Sequence, residues 1–63
     1  MEGVIKSLKT DKGFGFIRDG RGTEYFFHFS AAPEWSGLRE GQRVTFEQEE
    51  SPKGPRAGNV RSI

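Results

Sequence analysis

Two runs of aromatic residues constrain this chain more than anything else in it: Lys12-Gly13-Phe14-Gly15-Phe16-Ile17 and, a few residues later, Tyr25-Phe26-Phe27-His28-Phe29. Phe14 and Phe16 are two residues apart, so on a pleated strand both rings point to the same face. Phe26 and His28 repeat the arrangement on the next run. With glycines between the rings, the first run reads as an open surface that a flat ligand could cover. A folded chain rarely leaves such a patch bare without a ligand for it. Lys6, Lys9 and Lys12 border the patch. Rings beside positive charge suit a single-stranded nucleic acid, the rings stacking on bases and the cations attracting phosphates.

The rest of the sequence reads as all-β. Valine, isoleucine and aromatic residues come in short runs separated by turn residues, and no stretch shows helical periodicity. Strands are expected near residues 3–9, 13–18, 24–29, 43–50 and 56–61. Asp11-Lys12-Gly13, Asp19-Gly20-Arg21-Gly22 and Ser51-Pro52-Lys53-Gly54-Pro55 supply the turns, and Ser30-Ala31-Ala32-Pro33 makes at most a short helical turn. Five strands in 63 residues suggest a closed or nearly closed barrel forming one small domain, residues 1–63, with a modest core. Alternation sends Phe14, Phe16, Phe26 and His28 outward. It sends Gly15, Ile17, Tyr25 and Phe27 inward, where Ile5, Val44, Phe46 and Val60 join them. Periodicity alone leaves the inverted sheet, with Phe14, Phe16 and Phe26 in the core, as an alternative. Inversion would expose Tyr25 and Phe27, which is no more polar a surface.

Composition narrows the function. There is no cysteine, which excludes a disulfide-stapled scaffold. No apolar run approaches the roughly 20 residues that cross a bilayer, and the first residues carry no signal-peptide hydrophobic stretch. A cytoplasmic protein, monomeric and without a membrane partner, is expected. The net charge of +1 is too small for a bulk electrostatic argument. Acids gather at Glu47, Glu49 and Glu50, and bases at Lys6, Lys9 and Lys12 and again at Lys53, Arg56 and Arg61, so binding would rest on a local basic rim and on stacking. His28 is the only histidine. Alone it makes a poor metal site and has no partner spaced for acid–base catalysis. No metal, cofactor or enzymatic activity is expected.

In order and spacing the two aromatic runs resemble those of the bacterial cold-shock protein family. Lys12–Ile17 fits the ribonucleoprotein-1 pattern, and Phe26-Phe27-His28-Phe29-Ser30 resembles the second ribonucleoprotein motif. The likeness extends to Met1-Glu2-Gly3, to Glu40-Gly41-Gln42-Arg43-Val44-Thr45-Phe46-Glu47 and to Lys53-Gly54-Pro55-Arg56-Ala57-Gly58-Asn59-Val60. It implies a five-stranded antiparallel Greek-key barrel of the OB-fold type with no substantial helix. It also implies binding of single-stranded RNA or DNA with little sequence selectivity, in an RNA-chaperone or transcript-regulating role. The resemblance assigns stacking to Phe14, Phe16, Phe26, His28, Phe29 and Trp35, and phosphate contacts to Lys6, Lys12, Lys53 and Arg56. It favours a binding role for Trp35, three residues before Leu38, over capping one end of the barrel. Glu24 stands where the family usually has an aspartate, a candidate acceptor for a base edge. An RNA-recognition-motif fold fails, because it needs two helices and the opposite motif order. The remaining alternative is a small barrel that docks a protein on its aromatic face and binds nucleic acid weakly or not at all.

The sequence also departs from that family. Ser7-Leu8-Lys9 stands where Trp-Phe-Asn is usual, which removes one stacking surface. The loop after the second motif is shorter than is typical, and Tyr25 and Phe27 are bulkier than the usual valines.

Overall fold

The computed structural model describes residues 1–63. Five strands, β1 (Glu2–Lys9), β2 (Phe14–Asp19), β3 (Glu24–His28), β4 (Arg43–Ser51) and β5 (Gly54–Ser62), close into a barrel in the order β1-β2-β3-β5-β4. This is consistent with an OB-fold. β1–β2, β2–β3, β1–β4 and β4–β5 pair antiparallel. The last seam, β3–β5, is parallel and consists of the pair Phe26–Arg56. That seam leaves openings on both sides of the pair, next to the aromatic face. No helix is long and apolar enough to cross a membrane.

The turns follow the glycines. Gly13 (φ 77°) ends the β1–β2 connection, so it belongs to the turn and not to the strand. Asp19 organises the β2–β3 turn by accepting from the backbone N–H groups of Arg21 at 2.9 Å and Thr23 at 3.0 Å. β5 begins at Gly54, earlier than the prolines suggest; Pro55 lies opposite Glu50 before β3 joins at Arg56, where a missing N–H is tolerated.

All seven residues expected inside, Ile5, Ile17, Tyr25, Phe27, Val44, Phe46 and Val60, are buried. Phe27 is fully enclosed, and its truncation to alanine would cost ~3–5 kcal/mol, comparable to the whole stability of a domain this small. Ala32, Leu38 and Ala57 complete the core. The first two come from the long β3–β4 connection, where 3₁₀ turns at Phe29–Ala31 and Trp35–Gly37 fold the chain over one end of the barrel. Gly15 corrects one expectation. It faces inward, as alternation required, and so does not open the surface between the rings: a Cβ there would lie 2.8 Å from Ser7 O and 2.9 Å from Phe27 Cε1. The glycine allows β1 and Phe27 to close in beneath the aromatic strand.

Candidate nucleic-acid interface

Cross-strand register builds the aromatic face. On β2–β3 Phe16 sits opposite Phe26 and Phe14 opposite His28, and residues directly opposite share a face. The Phe14, Phe16 and Phe26 rings form a compact triangle, with centroids 5.5 Å (Phe14–Phe26), 5.9 Å (Phe16–Phe26) and 6.0 Å (Phe14–Phe16) apart. Phe26 is 37% exposed, and Phe14 and Phe16 are half-buried. Beyond them the His28 and Phe29 rings lie 4.5 Å apart. Phe29 is 50% exposed and packs across Gly13, where a Cβ would approach within 3.0 Å of its ring. The ring proton of His28 is placed by Ser30: Nδ1 accepts the Ser30 N–H at 3.2 Å and lies 2.9 Å from its Oγ, which leaves the proton on Nε2.

Trp35 combines the two roles weighed from sequence. It is half-buried, edge-on to the core ring of Phe27 at 5.8 Å and 6.4 Å from Phe29. It therefore covers the end of the barrel while extending the line of rings.

β1 joins the face through a bulge. Ile5 pairs with Ile17, but the next pair is Ser7–Phe16, so Lys6 is the extra residue. Plain alternation from the buried Ile5 would turn Ser7 inward. The bulge turns it outward beside Phe16 and sends Leu8 in against the core.

The four expected phosphate ligands fall into two classes. Lys6 Nζ donates to Glu24 Oε2 at 2.6 Å, and Arg18 Nη2 reaches the same oxygen at 3.4 Å. These two cations hold the Glu24 carboxyl below its usual value. Glu24 is thus the anchor of two cations. Arg56 Nε donates to Glu49 Oε1 at 3.0 Å. Lys12 and Lys53 form no ion pair. Lys53 and Arg56 line a cleft of about 530 Å³ with Phe16, Phe26, Pro52 and Pro55. Sequence reading missed Arg18, the two prolines and Ser30. The prolines had a signal, since both flank Lys53 and cannot extend a ladder. Arg18 and Ser30 matter through contacts that only the fold creates.

A bare cluster of rings on a closed five-stranded barrel, rimmed by lysines, agrees with what comparison with known proteins finds. The family model described as "'Cold-shock' DNA-binding domain" matches residues 1–63. The chain belongs to the cold-shock domain family. It is 47% identical over 60 residues to Cold shock protein 1 of Lactiplantibacillus plantarum, covering 92% of this chain and 91% of that one. It is 48% identical over 61 residues to the Cold shock-like protein CspA of Shewanella violacea, covering 92% and 87%. It is 41% identical over 64 residues to the Major cold shock protein of Streptococcus pyogenes, covering 98% and 96%. Membership of the cold-shock domain family assigns nucleic-acid binding of the cold-shock type, not catalysis, and does not favour a barrel that has lost that activity.

Proposed function

We propose that the outer face of β1–β3, with the adjoining end of β5, binds single-stranded RNA or DNA with little sequence selectivity. The observation that carries this reading is the Phe14–Phe16–Phe26 triangle, three rings in mutual contact with no other part of the chain laid over the exposed Phe26. Bases stack on these rings and on His28, Phe29 and Trp35. Every base has a flat face, so stacking tolerates any sequence at ~1–3 kcal/mol per base. A duplex keeps its bases stacked on one another and cannot offer them. Lys12 and Lys53 hold phosphates from opposite sides of the triangle, while Lys6 and Arg56 first exchange carboxylate partners.

A ligand that binds only the unpaired strand draws the pairing equilibrium toward it by mass action. This supports an RNA-chaperone or transcript-regulating role that needs no nucleotide hydrolysis, carried out by a cytoplasmic monomer. The test is a titration of Trp35 fluorescence, the sole tryptophan, with heptathymidylate and heptauridylate and with the corresponding duplexes. Quenching by the single strands at far lower concentration than by duplex supports the reading. Equal affinity for duplex refutes it.

A further inference from the structure

Gly58 lies buried within β5, opposite Glu47. A glycine inside a strand weakens it unless something approaches closely. What approaches is Glu49. A Cβ at position 58 would fall on Glu49 Oε2 and lie 2.8 Å from its Cδ. The Glu49 side chain therefore crosses β5 over Gly58, and from there its Oε1 accepts from Arg56 Nε at 3.0 Å. Arg56 is the residue beside Phe26 across the β3–β5 seam. It lines both openings there: the 530 Å³ cleft with Phe16 and Lys53, and a notch of about 490 Å³ with His28, Glu49 and Gly58. A carboxylate thus stands beside the proposed route of a polyanion, holding the cation paired with Phe26 across the seam.

We propose that Glu49, seated over Gly58, is a latch on Arg56 that a phosphate must displace, and that it sets the affinity of this end of the face. The proposal rests on the reading that the face binds single strands. Both partners are half exposed, at 54% and 44% of the side chain, so the pair is weak enough to exchange. A phosphate offers Arg56 a charge-assisted bond of the same kind. The net gain from Arg56 is then the difference between two similar contacts, and the displaced carboxylate stays close to the incoming charge. Lys53, in the same cleft, forms no ion pair and gains its phosphate contact in full. Glu24 differs in kind, because it holds Lys6 and Arg18 together and releasing one cation leaves the other.

The test is a double-mutant cycle read by heptathymidylate quenching of Trp35 at low ionic strength, with Glu49→Gln, Arg56→Gln and the double variant. Glu47→Gln is the control, since it makes the same charge change on the same strand but its carboxylate contacts Asn59. Glu49→Gln should tighten binding by about two- to five-fold, the range of an exposed ion pair. It should also steepen the dependence of log affinity on log salt by about 0.7, one phosphate contact on a single strand. In the Arg56→Gln background the same change should have almost no effect, and Glu47→Gln should change little. Gly58→Ala, which displaces the carboxylate without removing its charge, should tighten binding in the same direction. Unchanged or weaker binding by Glu49→Gln overturns the latch. So does equal tightening with and without Arg56, which would mark a general charge effect. Failure of the native protein to bind the oligonucleotide at all would instead remove the proposed function, and the latch with it.

Discussion

Replacing Ser7 with tryptophan restores a ring at the position where this chain departs from its family, and the register says where that ring would go. Ser7 is directly opposite Phe16, and neighbouring strands are ~4.8 Å apart, so an indole at position 7 lies alongside a platform already three rings wide. The site is half-buried on the outer face, and a surface change of this kind alters stability by about 0.5 kcal/mol or less. One further stacked base is worth ~1–3 kcal/mol. Ordering the new side chain and sharing the base with Phe16 take part of that back, leaving ~1–2 kcal/mol, about 5- to 30-fold in affinity. The assay is competition by the unlabelled variant for a labelled heptathymidylate, which avoids the second fluorescent tryptophan. Ser7→Leu is the control, adding apolar area without a flat face, and should gain much less. A folded Ser7→Trp protein with unchanged affinity would refute the reasoning, because β1 would then lie outside the binding face.

Three further outcomes follow from the same geometry. Phe16→Ala and Phe26→Ala should each weaken binding by ~1–3 kcal/mol while far-ultraviolet circular dichroism stays native; loss of the fold would mean that these rings are core. Log affinity should fall with log salt at a slope of roughly −2 to −3, from three or four phosphate contacts at ~0.7 each. Lys12→Gln should flatten that slope by nearly one contact, whereas salt-independent binding would favour a protein-docking face. Acid should destabilise the fold through Asp19. Burial pushes this carboxyl up, but bonds from the Tyr25 hydroxyl and the Arg21 and Thr23 N–H groups, with the Arg21 charge, outweigh burial and hold it below its ordinary 3.8. A depressed carboxylate stabilises the fold above that ordinary value, and the contribution is lost as pH falls from there through the lower folded-state value. The thermal midpoint of Asp19→Asn should therefore fall less steeply on acidification than that of the native protein, and parallel curves would contradict this.

The barrel and its two faces were legible because the aromatic and aliphatic residues of β2 and β3 keep strict alternation. Phe14, Phe16, Phe26 and His28 alternate with Gly15, Ile17, Tyr25 and Phe27, and no other period fits. Legibility failed where alternation breaks. The bulge at Lys6 reverses the faces of Ser7 and Leu8. An irregularity between Thr45 and Glu47, opposite Asn59 with its φ of 50°, places Ala57 and Val60, three residues apart, both inside. Ala32 and Leu38 directly follow 3₁₀ turns too short to show a period, so their burial depends on how the long connection folds over the barrel. The stacking residues came from spacing and from the family likeness. The pairing of Lys6 with Glu24 and of Arg56 with Glu49 spans 18 and 7 residues and had no local signal. Charge type alone made the four cations look equivalent, and the fold separates them.

The central claim is that one face of the barrel binds and the other does not. Its most direct test is a titration of ¹⁵N-labelled protein with heptathymidylate, followed by backbone amide shifts residue by residue. The account predicts that the largest shifts fall at Phe14, Phe16, Phe26, His28, Phe29, Trp35 and the stretch from Lys53 to Arg56, with little change at Glu2, Arg43 and Thr45 on the β1–β4 side. Shifts centred on Glu2, Arg43 and Thr45, with the aromatic strands unmoved, would contradict it.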